Sequence, residues 1–144
     1  MAITELLKKT ALFSSLSDDE LAAVADICVE QSFPAGEIII HQGDMGDELY
    51  IIQEGQVEIL VMGTKPERSL VVLGKRQILG EMSLLDYGYR SATARAAEPA
   101  TVQVIQEADF TALCQRDNHI GYVVMRNLAA DLSFKLRHRN LATM

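Results

Sequence analysis

The sequence predicts a mainly β domain with helices before and after it, a sandwich or barrel rather than a sheet crossed by helices. Short β-branched runs recur through the middle of the chain, separated by glycine, proline or charged residues. Apolar spacing turns helical at both ends. No alternation of strand and long helix runs through the β block, as a parallel sheet would require.

The helical start rests on Ile3, Leu6, Leu7 and Thr10, spaced as on one helix face, before LFSSLS interrupts. Ser17 followed by Glu20 is a capping-box signature: the serine accepts an orphan backbone N–H and the glutamate reaches back. Leu21, Val24, Ala25 and Cys28 then form one apolar stripe, so helix is expected through residue 31. Phe33-Pro34-Ala35-Gly36 is turn chemistry and opens the β block, expected over 32–106. EIIIHQ, ELYIIQ, QVEILVM, RSLVVLG and TVQVIQ are its strands. Glu54-Gly55 is expected to be a tight hairpin turn, and GTKPER (63–68) an exposed hairpin loop. After Gln106 the helical period returns over 107–140, as EADFTALCQRD and then a longer helix. On the longer one, Ile120, Val124, Leu128, Leu132 and Leu136 repeat every four residues.

The chain has 144 residues, 49% of them hydrophobic and 23% charged, which suits a single domain over 1–144 with its own core. A formal charge of -7 disfavours broad attraction to nucleic acid or to an anionic membrane, although a few well-aimed donors can still hold a small anion. Two cysteines without paired spacing, and a start lacking a signal-peptide core, point to the cytoplasm. The three histidines are scattered without metal-ligand spacing, so no metal is expected.

One stretch concentrates chemistry. In LGEMSLLDYGYRSATARA (79–96), Arg90 stands among small and apolar residues, nine positions after Glu81. Gly80 allows close backbone approach to a ligand, and MSLLD suffices for one helical turn, whose first N–H groups lack internal partners. Arg90 adds a permanently charged fork suited to phosphate, with the Ser91 hydroxyl beside it. Glu81 would repel a phosphate, and its jobs are to bond a sugar hydroxyl or to orient Arg90. An anion half and a hydroxyl half together describe a ribose phosphate.

Two motifs here resemble those of the cyclic nucleotide-binding domains, the family of the catabolite activator protein and the regulatory subunits of cyclic-AMP-dependent protein kinase. IIHQGDMGDELYIIQEG (39–55) is similar to its strand-turn-strand signature, with Gly43, Gly46 and Gly55 at the turns. LGEMSLLDYGYRSATARA resembles its phosphate-binding cassette, here 79–93. The resemblance implies a double-stranded β-helix (jelly-roll) barrel with an N-terminal helical segment, a short cassette helix and a long C-terminal helix. It implies a ligand, cyclic AMP in preference to cyclic GMP, and no other cofactor. Arg90 would pair with the phosphate and Glu81 with the ribose 2'-hydroxyl. Gly80 and the N–H groups around Met82, Ser83 and Ala92 would complete the cradle, Ser91 would bond phosphate or base, and Ile59 and Leu70 would line the base pocket. Many relatives have Pro-Gly-Asp where this chain reads GKRQILGE, so the turn at Lys75 and Arg76 is expected to differ.

The implied protein is a sensor and not an enzyme, since no nucleophile–base pair is evident. It would shift its C-terminal helix on binding, form a homodimer through that helix, and signal through an effector protein. The sequence stops at Met144 without a helix-turn-helix after the long helix, so DNA binding is not expected. Two other readings remain: an interaction module that keeps the barrel but binds no nucleotide, and a cupin-like metalloenzyme. The second needs clustered histidines, and only His41 falls in the strand region.

Overall fold

The computed structural model describes residues 2–61, 68–85 and 88–143. It divides into two compact units, residues 1–26 with 111–144, and residues 27–110.

In the helical unit, α1 (Ile3–Lys8) is followed by a 3-10 turn (Ala11–Phe13) and α2 (Asp18–Ala25). The capping box forms as the sequence predicts: Ser17 N–H donates to Glu20 Oε1 at 2.9 Å and Glu20 N–H to Ser17 Oγ at 3.2 Å. The chain re-enters this unit within α3 (Glu107–Arg116) and ends in α4 (Asn118–Thr143). Ile120, Val124 and Leu128 of the α4 stripe are buried, while Leu136 is 58% exposed, so only the first half of the stripe is covered. Asn127 Nδ2 donates to the carbonyls of Leu12 and Ser14 at 3.0 and 2.8 Å, fastening α4 to the turn after α1.

The β unit holds eight strands: β1 (Cys28–Phe33), β2 (Ile38–Ile40), β3 (Glu48–Glu54), β4 (Val57–Val61), β5 (Arg68–Leu73), β6 (Ile78–Leu79), β7 (Thr93–Ala96) and β8 (Ala100–Gln106). They form two antiparallel sheets, ordered β1-β8-β3-β6 and β2-β7-β4-β5. Phe33, Tyr50, Ile52, Leu79, Val102 and Val104 from the first sheet meet Ile40, Val57, Ala94 and Ala96 from the second in one core. This is the jelly-roll class expected. Leu49 through Ile52 are all buried, which explains why ELYII reads as a continuous apolar run rather than an alternating one.

Three local expectations change. Cys28 opens β1 instead of extending the helix stripe. Glu54-Gly55 does not close a hairpin, because β3 and β4 lie in different sheets; the turn carries the chain from one to the other. Gly55 is at φ +90, and a Cβ there would collide with the Pro99 carbonyl, so only glycine fits the crossing. The cassette helix is a four-residue 3-10 turn, Glu81–Leu84, rather than an α-helical turn over MSLLD. At the departure from the family pattern, Arg76 takes φ 74, and its N–H donates to the Ile52 carbonyl at 2.8 Å. Apart from Arg68, the GTKPER segment lies outside the described residues.

Candidate nucleotide-binding site

Each motif is a glycine-rich connection beside a strand, and the backbone laces the two together. Gly43 N–H donates to the Arg90 carbonyl at 2.9 Å, Arg90 N–H to the Asp44 carbonyl at 2.7 Å, and Gly46 N–H to the Gly88 carbonyl at 3.1 Å. Met45 and Tyr89 form an antiparallel bridge within this lacing. The Arg90 side chain then reaches the first residue of β3, where Nη2 donates to the Glu48 carbonyl at 2.7 Å.

Gly80 is constrained by the chain itself. At φ +77 it takes a conformation suited to glycine, but a Cβ there would lie 2.5 Å from Arg90 Nη1 and 2.8 Å from the Glu48 carbonyl oxygen. What presses on Gly80 is the chain's own arginine. In the turn that follows, Ser83 is buried; its N–H and Oγ both donate to the Gly80 carbonyl, at 3.0 and 2.8 Å. Ser83 N–H is therefore occupied, whereas the N–H groups of Met82 and Ala92 donate to no carbonyl among the described residues.

Arg90 lies against Gly80, and Arg90 and Ser83 both reach the Glu48 carbonyl; Glu81 and Met82 follow Gly80 in the chain, and Ser91 and Ala92 follow Arg90. Glu81 is half-buried, Ser91 exposed, and Met82 50% exposed. The two base-pocket candidates fare unevenly. Ile59, on β4, packs against the barrel core. Leu70 falls at a register shift in the β4–β5 ladder, where Ile59 pairs with Val71 and Leu60 with Ser69. It is the extra residue of a bulge, 49% exposed.

Sequence reasoning missed Glu48 and read Gly46 only as a turn residue. Glu48 is a hub: its carboxylate accepts from Tyr50 Oη at 2.9 Å and Gln106 Nε2 at 2.7 Å, while its carbonyl receives Arg90. Burial, reinforced by that carboxylate, pushes the Tyr50 phenol up, so it remains a donor at neutral pH. Burial likewise pushes the Cys28 thiol up to about 12, which keeps it protonated and unreactive. Among the described residues no group of three or more His, Cys, Asp or Glu is placed to hold a metal ion, and no helix is long and apolar enough to cross a membrane.

The fold is a two-sheet barrel in which an arginine lies against the glycine that opens a short helical turn. The chain belongs to the cyclic nucleotide-binding domain family, whose model matches residues 30–117. It is 36% identical over 137 residues to the cyclic AMP receptor protein of Thermus thermophilus, covering 94% of this chain and 61% of that protein. It is 30% identical over 114 residues to a cGMP-dependent protein kinase of Caenorhabditis briggsae, covering 77% of this chain and 15% of that protein. The crystal structure of a cyclic nucleotide-binding domain from Methylobacillus flagellatus superposes with a TM-score of 0.83 at 26% identity, covering 99% of this chain and 82% of that one. The chain thus spans less than two-thirds of either of these two relatives.

Proposed function

We propose that this chain is a non-catalytic cyclic nucleotide sensor that binds cyclic AMP in preference to cyclic GMP and acts in the cytoplasm. The observation that carries the reading is Arg90. Its guanidinium is fixed by the Glu48 carbonyl beside a turn that offers the Met82 N–H, and a guanidinium keeps further donors for the paired oxygens of a phosphate. Glu81 and Ser91, next to Gly80 and Arg90 in the chain, would meet the ribose hydroxyl and the base or phosphate. Ile59 and Leu70 supply apolar surface for the base. The relative named for cyclic AMP matches more of this chain at higher identity than the one named for cGMP, which supports the preference.

Output would follow from a population shift. A ligand that contacts one arrangement of cassette and α4 better favours that arrangement. The exposed half of α4, with Phe134 and Leu136, is the surface we assign to a second copy of the chain or to an effector protein.

One observation favours the interaction module without ligand: Ser83 N–H and Arg90 Nη2 are already satisfied by the chain's own carbonyls. Side-by-side calorimetric titration with cyclic AMP and cyclic GMP separates the readings, because a silent titration at millimolar ligand removes the sensor. If the sensor stands, Arg90→Ala should weaken binding by about 2–5 kcal/mol, as for truncating one partner of a buried charged pair. Glu81→Ala should cost about 1–3 kcal/mol. Unchanged affinity in the Arg90 variant would place the phosphate elsewhere.

A further inference from the structure

We infer that Gly46, which belongs to the first motif and not to the cassette, is a positioning residue that sets ligand affinity by keeping open the slot Arg90 occupies. The inference deepens the proposed cyclic nucleotide reading and rests on it for its affinity consequence, though not for its geometry.

A Cβ at Gly46 would lie 2.6 Å from both Cζ and Nε of Arg90 and 2.9 Å from its Cδ. On the other side, a Cβ at Gly80 would lie 2.5 Å from Nη1. The arginine thus runs between two glycines and ends on the Glu48 carbonyl. The glycines differ in kind. Gly80 sits in the left-handed region and faces a backbone oxygen at 2.8 Å, so any side chain there strains the fold itself. Gly46 has no left-handed φ, and the three atoms nearest its would-be Cβ belong to the far part of one flexible side chain. A methyl group at 46 is therefore tolerated by the fold, and it is Arg90 that must move.

Arg90 cannot yield by a backbone shift. Its N–H and carbonyl are bonded to Asp44 and Gly43, and Gly46 N–H is bonded to the Gly88 carbonyl beside it. The shift falls on the torsions of the side chain that ends on the Glu48 carbonyl, so a Cβ at 46 re-aims the fork. A bidentate contact depends on orientation as well as charge, so a displaced guanidinium keeps its charge and loses its aim.

The test is a cycle of Gly46→Ala, Arg90→Ala and the double variant, read by ligand-free thermal melting and by calorimetry with cyclic AMP. Gly46→Ala should melt near the parent and bind at least about tenfold more weakly. Arg90→Ala should bind about 30-fold more weakly or worse, and adding Gly46→Ala to it should change affinity by less than about twofold. Parent-like affinity in Gly46→Ala, or losses that multiply in the double variant, would overturn the inference. Should the parent bind neither cyclic AMP nor cyclic GMP, the sensor reading fails separately. The slot is then decided by the Arg90 Nε–Hε resonance, identified by its disappearance in Arg90→Ala. It must shift in Gly46→Ala and stay in place in Gly36→Ala, a glycine with nothing within 4 Å of its would-be Cβ. A resonance unmoved in Gly46→Ala overturns the slot.

Discussion

Gly36 and Gly55 make a matched pair for testing the packing at the crossing between the sheets. Their φ angles are +88 and +90, so alanine meets the same backbone penalty at either position. That penalty is about 1–2 kcal/mol for an L-residue in the left-handed region, partly offset by about 0.4–1 kcal/mol from a less flexible unfolded chain. Gly36→Ala should therefore cost about 1 kcal/mol, since its Cβ would project into open space. At Gly55 the Cβ would overlap the Pro99 carbonyl and lie 2.8 Å from Ala100 Cα, both backbone atoms of a segment bonded into β8. Overpacking of this kind adds about 1–3 kcal/mol, for a total of about 2–4 kcal/mol. For a chain of this size each kcal/mol moves the melting temperature by about 3 °C, so the expected drops are about 3 °C and about 6–12 °C. Urea unfolding followed by far-ultraviolet circular dichroism should show both midpoints falling with the denaturant slope unchanged. Equal losses in the two variants would refute the steric part of the reasoning, because the two sites differ only in what surrounds them.

His119→Gln should remove a pH dependence of stability in the helical unit. His119 Nδ1 and Glu20 Oε2 are 2.5 Å apart, and the hydrogen bond and charge of Glu20, with Asp117 adding, raise the imidazole above its usual 6.5. The contribution is full below the unfolded-state value and is lost as pH rises through the folded one, so the parent's melting temperature should fall as pH rises above the usual imidazole value of about 6.5 and the variant's should not. Glu20 is lowered chiefly by the Ser17 N–H and next by His119, so its contribution is present above the unfolded value and lost in acid. That acid limb should survive in the variant, and a neutral-pH slope surviving with it would sink the assignment. Asn127→Ala strips hydrogen bonds from the Leu12 and Ser14 carbonyls and should cost about 1–3 kcal/mol of unfolding free energy, whereas a neutral result would show water replacing the amide.

Much of the fold was legible because its signals are local. The Ser17–Glu20 box is a four-residue pattern, and β2, β3, β4, β5 and β8 are β-branched runs, although Leu70, Val71 and Val72 of β5 are about half exposed. The strands that escaped lack that signal. β1 reads CVEQSF and exposes Val29, Glu30, Gln31 and Ser32, an edge strand with no buried face to impose alternation. β7 reads TARA; its Ala94 and Ala96 are buried between β2 and β4, where small side chains fit, yet they resemble loop residues in sequence. Turn chemistry at Glu54-Gly55 marks a reversal without saying which sheet receives the chain. The arginine and its flanking residues were legible as a cassette. Glu48 was not, because it serves Arg90 through a backbone carbonyl, a group every residue has.

The lacing between the motifs also decides which part of the cassette is free to respond to a ligand. Arg90 is held by hydrogen bonds of its N–H and carbonyl to the 43–44 turn and by its side chain to β3, and Gly46 is bonded across to Gly88. Moving the arginine end means breaking these together. The 3-10 turn is held more loosely: beyond its bonds to Gly80, the Ser83 hydroxyl reaches the Glu48 carbonyl only at 3.4 Å, and Met82 and Leu85 expose half of their surface. A ligand-driven shift of the kind proposed above therefore has its freedom at Met82–Leu85, with Arg90 as the fixed anchor. Amide hydrogen exchange with and without cyclic AMP tests this directly. Protection should change at Met82 to Leu85 and stay constant at Gly43, Gly46 and Arg90; a change centred on those three amides would show that the anchor is what moves.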